Sequence, residues 1–329
     1  EGRAVPDVGH PVVQPPGDLR RHGVDEALAI PPAFHEWVAE SWRNREPTLF
    51  GRFDLAWDGH GPPRLLEYNA DTPTALLEAS VVQWQWLQDV RPAADQFNSL
   101  HERLIERWRA LRATLPAAPL AFACVRDNEE DFGNVEYLRD TAVQAGWTTA
   151  QVYMEDLGWH ARDRCFVDAA DLPLPLIFKL YPWEWMMREA FGPQLLGRTC
   201  RWIEPPWKAL LSNKAMLAIL WELFPGHPNL LPAYLEPGRI DGDYVRKPIL
   251  SREGANVSLR RAAGAMVSPG RYGDEGWVYQ AFAPLPAFAG NHAVIGSWII
   301  GDAAAGIGVR EDDTPITRNT SRFVPHYFT

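Results

Sequence analysis

Gly51-Arg52-Phe53-Asp54 is followed thirteen residues after Asp54 by Glu67-Tyr68-Asn69-Ala70-Asp71, and the two stretches read as one β-hairpin. Phe53, Leu55 and Trp57 alternate with Arg52, Asp54 and Ala56, and Leu65 begins a second extended run. Asp58-Gly59-His60-Gly61-Pro62-Pro63 between them has turn chemistry. Side chains two apart on a strand share a face, so Arg52 and Asp54 point one way, and Glu67 and Asn69 point one way. Pairing the strands gathers two carboxylates, an amide oxygen and a guanidinium in a small volume. Hard oxygen donors beside a fixed cation suit Mg²⁺ and a bound phosphate. The same residues also suit an exposed, ion-paired hairpin face. The segment alone leaves both readings open.

The chain has 329 residues, 46% of them hydrophobic, which is enough for a large core and two or three subdomains. A formal charge of −10 argues against nucleic acid or an anionic membrane as the main partner. No apolar run is long enough to span a bilayer. Cys124, Cys165 and Cys200 are widely spaced, with neither metal spacing nor a disulfide framework, so a cytoplasmic location is expected. The histidines show no metal spacing, and no G-x-S-x-G elbow is present.

Residues 1–47 read as an irregular arm and a helix from Ala33 to Arg45. Residues 48–205 read as the hairpin plus an α/β region, and residues 206–329 as an antiparallel α+β region. Thr72-Pro73 has helix-start chemistry ahead of Leu76, Leu77, Val81, Trp84 and Leu87, and a further helix is predicted over 94–111. A strand over 119–125, a helix over 131–145 and strands over 148–154 and 176–180 predict a parallel sheet. Helices are predicted over 182–195 and 206–224. From about residue 243, strands with short Gly-rich connections predict an antiparallel sheet.

Three more clusters can carry chemistry. In Tyr244–Val257 a strand delivers Lys247, and a loop with Arg252, Gly254, Ala255 and Asn256 follows. Small residues let backbone N–H groups approach phosphate oxygens. The Walker pattern is absent, and taken alone the loop reads better as an ordinary surface turn. Lys214, in Ser212-Asn213-Lys214, opens a helix where the dipole disfavours a cation. An anionic ligand would justify it, as would plain solvation. Arg310 sits at a strand end, within reach of a phosphate or of Glu311 and Asp312.

These segments resemble the synthetase portion of the glutathionylspermidine synthase family. The matching stretches include GRFDLAWDG, LLEYNADTPTALLEASVVQWQWLQD, FKLYPWEWM, RWIEPPWKALLSNKA, YVRKPILSREGANV, VYQAFAPLP and GVREDDTPITRNTSRFVPH, in the family's order. The resemblance implies an α/β, ATP-grasp-like fold, α+β in the C-terminal half, in the permuted arrangement of glutathione synthetases. It implies a stand-alone member without the family's amidase domain, with residues 48–205 as the pre-grasp region and residues 206–329 binding nucleotide.

The resemblance further implies Mg²⁺ on Asp54, Glu67 and Asn69. ATP phosphates fall to Lys214 and Lys247, with Arg252, Gly254 and Asn256 in the covering loop and Gln280 at the adenine hinge. Arg52 faces the transferring phosphoryl group and the acid substrate, and Arg252 and Arg310 both lie near the phosphoryl transfer or the acid substrate. Thr72 and Thr74 stand where the family has glutathione-binding serines. Glu129, Glu130 and Asp131 offer an acidic patch for a polyamine, or simply a helix start with favourable dipole placement. The loop reads Ser251-Arg252-Glu253-Gly254, where the family pattern has Gly before the Arg.

The implied activity is an ATP- and Mg²⁺-dependent carboxylate–amine ligase acting through an acyl phosphate on a small-molecule acid, a peptide or amino acid, and an amine. No nucleic-acid or membrane partner is expected. The alternatives are a catalytically reduced nucleotide-binding regulatory protein and an ATP-grasp phosphotransferase. The sequence names neither substrate and gives no oligomeric state.

Overall fold

The structure is a computed structural model that describes residues 27–329. Most of the expected N-terminal arm, residues 1–26, lies outside the described residues. A 3₁₀ turn, Pro32–Phe34, leads into α1, His35–Arg43. Its apolar stripe buries Trp37 and Val38, and Trp37 meets Trp183 edge-on at 5.4 Å.

The hairpin forms as its alternation predicts. Strands β1, Phe50–Ala56, and β2, Arg64–Asn69, pair antiparallel with Arg52 opposite Asn69 and Asp54 opposite Glu67. A register shift between Asp54 and Leu55 marks a bulge, which bends the strand and re-aims its neighbours.

The following helix does not begin at Thr72-Pro73. Residues 72–75 stay irregular and the helix opens at Leu76, whose N–H is accepted by Asn134 Oδ1 at 3.1 Å. A cap lent by another helix leaves no local signal. One π-helical turn, Glu78–Val82, precedes α2, Gln83–Val90. The helix predicted over 94–111 is α3, Leu100–Arg112. The residues before it make β-bridges instead, Asp95 with Phe328 and Asn98 with Gly306.

The α/β unit contains β3, Leu120–Cys124; α4, Glu129–Gln144; β4, Thr149–Tyr153; β5, Leu176–Lys179; α5, Trp183–Met186; α6, Gly192–Leu195; and β6, Arg201–Ile203. Its sheet is parallel, in the order β4-β3-β5-β6. The central strands β3 and β5 are buried on both faces and are apolar apart from Lys179. Leu120, Phe122, Leu176 and Phe178 pack with Trp108 and Leu138 in one core, whereas Ala121, Ala123 and Ile177 face a second core with Trp183 and Trp202. The helical stretches predicted over 182–195 and 206–224 are shorter than expected. The second divides into α7, Lys208–Ser212, and α8, Met216–Leu223. Asn213 breaks it with an extended backbone (ψ 128°) and donates its side-chain amide to Leu28 O at 2.7 Å.

Beyond it, β7, Ala233–Tyr234; β8, Tyr244–Pro248; β9, Ser258–Arg261; β10, Gly264–Val267; and β11, Trp277–Ala281 form an antiparallel sheet in the order β10-β9-β8-β11-β7. Then β12, Ala287–Phe288; β13, Asn291–Ile300; β14, Ala303–Asp312; and β15, Arg322–Val324 return to the hairpin. That sheet runs β15-β14-β13-β1-β2, with β12 pairing β13.

Two enclosed ion pairs pin the hairpin to the parallel sheet. Lys179 Nζ lies 2.6 Å from Asp71 Oδ1, both side chains having no exposed surface. Glu204 accepts the backbone N–H groups of Leu49 and Phe50, each at 2.9 Å, and lies 3.3 Å from Lys208 Nζ. Lys208 in turn donates to Phe50 O at 2.8 Å and Ala70 O at 3.0 Å.

Candidate functional site

The charged face of the hairpin is the buried one. Arg52 is 6% exposed and Asp54 4%, whereas Phe53 and Leu55 on the opposite face are only half-buried. The exposed ion-paired face is therefore excluded. Arg52 grips Asp54 with two hydrogen bonds, Nε to Oδ1 at 2.6 Å and Nη2 to Oδ2 at 3.1 Å. Its remaining Nη1 donates to Thr74 O at 2.6 Å. Gly296, opposite Asp54 on β13, leaves room for this side chain. A Cβ at Gly296 would lie 2.8 Å from Arg52 Cδ.

Arg310 approaches from β14 and donates Nη2 to Asp54 Oδ2 at 2.6 Å. The surface pairing with Glu311 or Asp312 does not form. Those carboxylates are taken by Arg322 and Arg318. Asn69 Nδ2 lies 3.2 Å from Asp54 Oδ2 and 3.3 Å from Glu67 Oε1, between the two carboxylates.

Two lysines close the cluster from the C-terminal half. Lys214, just ahead of α8, lies 3.2 Å from Glu67 Oε2 and donates to Ser251 O at 2.6 Å. Lys247, on β8, donates to Leu66 O and to Gln280 Oε1, both at 2.8 Å. Gln280 Nε2 reaches Leu65 O at 2.9 Å. Its side chain is thus spent on fixing Lys247 and β2.

Four cations here face two carboxylates. Burial would raise the Glu67 carboxyl, but Lys214, Lys247 and Arg52 outweigh it and hold it well below the usual range. Burial pushes Lys247 down to about 8, against the attraction of Glu67. Burial, then the neighbouring Arg52, lowers Arg310. A cation surplus in a low-dielectric pocket attracts anions.

These residues line a cavity of about 510 Å³. It brings together Arg52, Asp54, Glu67, Asn69, Lys214 and Lys247 with Arg252, Gly254, Gln280 and Arg310. Thr72, Thr74 and Glu130 also line it. Glu129 and Asn256 do not line it. Glu129 lies exposed on the first turn of α4, clear of the cavity wall. Asn256 turns its amide onto Tyr272 O. Gly254 has a φ of +67°, and a Cβ there would lie 2.3 Å from Thr317 O, so the loop packs against residues 316–317 only because it carries glycine.

Part of the cavity lining is acidic. Asn128 caps α4 by accepting the Asp131 N–H at 3.0 Å, and Glu130 and Asp131 face the cavity alongside Glu253. Burial, then the neighbouring Glu130, pushes the Asp131 carboxyl up to about 6, and the same two causes raise Glu253.

The sequence profile of the glutathionylspermidine synthase preATP-grasp family matches residues 13–329. The chain belongs to this family. A Haemophilus influenzae member named "Putative acid--amine ligase" is 46% identical over 304 residues, covering 88% of this chain and 77% of that protein. The trypanothione synthetase of Crithidia fasciculata is 29% identical over 330 residues, covering 91% of this chain, and this chain spans only 50% of its length. In fold, the chain is similar to a glutathione synthetase-like effector of Globodera pallida, with a TM-score of 0.57, 9% identity, and coverage of 95% of this chain and 86% of that one. The fold is accordingly of the ATP-grasp, glutathione-synthetase kind.

Set on that fold, several side chains of the site escape a reading of the sequence. Glu184 Oε1 accepts Arg252 Nη2 at 2.7 Å, and Asp71 and Lys179 brace the loop that carries Thr72. Their partners lie far away in the chain, so no local spacing announces them. Among the described residues, no group of three His, Cys, Asp or Glu side chains is placed to hold a metal ion. Any divalent cation at the hairpin must therefore rely on two carboxylates and an amide.

Proposed function

We propose that this protein is an ATP- and Mg²⁺-dependent ligase that joins the carboxylate of a small peptide or amino acid to an amine. The observation that carries the reading is the buried hairpin face: two carboxylates and an amide within a ring of four cations, on the wall of a single cavity. Family membership and the acid–amine ligase and synthetase names of the relatives support it.

The donor set suits a hard cation. Asp54 and Glu67 are directly opposed across the strands, and the Asn69 amide lies between them. These three would hold Mg²⁺, which when bound neutralises phosphate charge during phosphoryl transfer. Asp54 is already saturated by Arg52, Arg310 and Asn69. Glu67 is the freer of the two carboxylates.

The chain's own groups serve charge and orientation. Lys214 and Lys247 meet the polyphosphate, and Arg52 and Arg310 face the substrate carboxylate and the phosphoryl group it receives. The acyl phosphate so formed is opened by the amine, a C–N bond replaces the C–O bond, and phosphate leaves with the oxygen. No protein nucleophile is needed. Glu130, Asp131 and Glu253 attract a cationic amine to the acidic part of the lining.

Phosphate and ADP release, assayed against a panel of acids with and without di- and polyamines, tests the proposal. Release that requires both an acid and an amine supports it. Release that saturates with a hydroxyl acceptor alone points to a phosphotransferase instead, and nucleotide binding without turnover points to a regulatory protein.

A further inference from the structure

Arg252 leaves the end of β8 and reaches two other parts of the fold. Nη1 donates to the Thr72 hydroxyl, on the loop after β2, and Nη2 donates to Glu184 Oε1 at 2.7 Å, on α5. The guanidinium also lies 5.5 Å from the ring centroid of Trp185.

The two docking points are themselves locked together. Asp71 Oδ2 accepts the Trp183 N–H at 2.9 Å, at the first residue of α5. Its other oxygen takes Lys179 Nζ, wholly enclosed, and Lys179 also donates to Tyr181 O at 2.8 Å. The loop bearing Thr72 and the helix bearing Glu184 thus form one rigid seat, and Arg252 is clamped onto it from the nucleotide-binding half. The two bonds use one N–H on each terminal nitrogen, which leaves each a second N–H, whereas Nε is buried and has no partner.

We propose that Glu184 is a positioning residue. It holds the Arg252 guanidinium at the cavity so that the terminal N–H groups left free by the clamp meet the anionic end of the bound acid. The inference rests on the ligase reading for the identity of that anion, but the clamp is a property of the protein alone. A carboxylate suits this seat because an Arg–carboxylate bond fixes direction as well as charge, leaving the fork little freedom. Glu184 makes its one ion pair among the described residues with Arg252. Burial alone would raise its carboxyl, and Arg252 reverses that.

The test uses Glu184→Ala, the isosteric Glu184→Gln and the charge-retaining Glu184→Asp, with Arg252→Ala as reference. Amide hydrogen exchange of residues 250–257 without substrate reads the clamp directly. Exchange is expected to rise about tenfold in Glu184→Ala and Arg252→Ala alike, and to return toward wild type in Glu184→Asp. In acid- and amine-dependent ADP release, Glu184→Gln should lower kcat or raise the acid's KM about tenfold while leaving the KM for ATP within about twofold. The double variant Glu184→Ala/Arg252→Ala should be no slower than Arg252→Ala. Unchanged exchange in Glu184→Ala, or losses that multiply in the double variant, would overturn the assignment. A wild-type protein without acid- and amine-dependent turnover would instead overturn the ligase reading, and the exchange measurement would still decide the clamp.

Discussion

The enclosed pairs Asp71–Lys179 and Glu204–Lys208 and the cluster around Asp54 use the same residue types for opposite ends. In the enclosed pairs each carboxylate meets one ammonium, neighbouring backbone groups satisfy what remains, and no surface is left. Around Asp54 and Glu67 the cations outnumber the carboxylates, and the group opens onto a cavity. Burial of charge is common to both regions. Surplus and access separate a brace from a site.

The comparison breaks if the braces prove dispensable. Lys179→Met strands Asp71 without its partner and should cost about 3–5 kcal/mol in denaturant unfolding. A loss below about 1 kcal/mol would show that Asp71 is not held as an ion. At the site the expected damage lies in turnover. Glu67→Gln should reduce ligase turnover by roughly 10²–10³-fold, with a smaller loss of stability than Lys179→Met, because Glu67 is only half-buried and its pair with Lys214 is partly exposed.

Smaller effects sharpen the picture. Lys247→Met should weaken ATP binding by about 1.5–3 kcal/mol, measured by calorimetry, since it removes a charge-assisted hydrogen bond. Smaller still is the pH response of the acidic wall. Asp131 is raised to about 6, so it is neutral below that pH and anionic above it, and its pull on a cationic amine appears as pH rises. The amine's KM should therefore fall about tenfold between pH 5 and pH 7. Asp131→Asn should flatten that profile, whereas an unchanged profile would remove Asp131 from the amine site.

Much of the site was legible because it rests on period-2 geometry. Arg52, Asp54, Glu67 and Asn69 fall on one face by spacing alone, and the observed register matches them in opposed pairs. The parallel sheet was legible for a similar reason, since its central strands are apolar on both faces. What escaped depends on distant partners. Thr72-Pro73 looks like a helix start, yet Asn134 supplies the cap four residues later, at Leu76. Residues 94–99 look helical, yet the C-terminal tail claims their backbone. Glu184 and Lys179 carry no local signal, because their partners lie 68 and 108 residues away. Asn256 sits in a left-handed turn that aims its amide at Tyr272, a direction that no local spacing announces.

The central claim is that the cation-rich hairpin face drives acid–amine ligation. Its most direct test is ADP release by wild type and Glu67→Gln with Mg²⁺-ATP, across a panel of small peptides and amino acids, each with and without a polyamine. The account predicts release that needs both the acid and the amine and is lost in Glu67→Gln. Release indifferent to either substrate, or undiminished in Glu67→Gln, would contradict it.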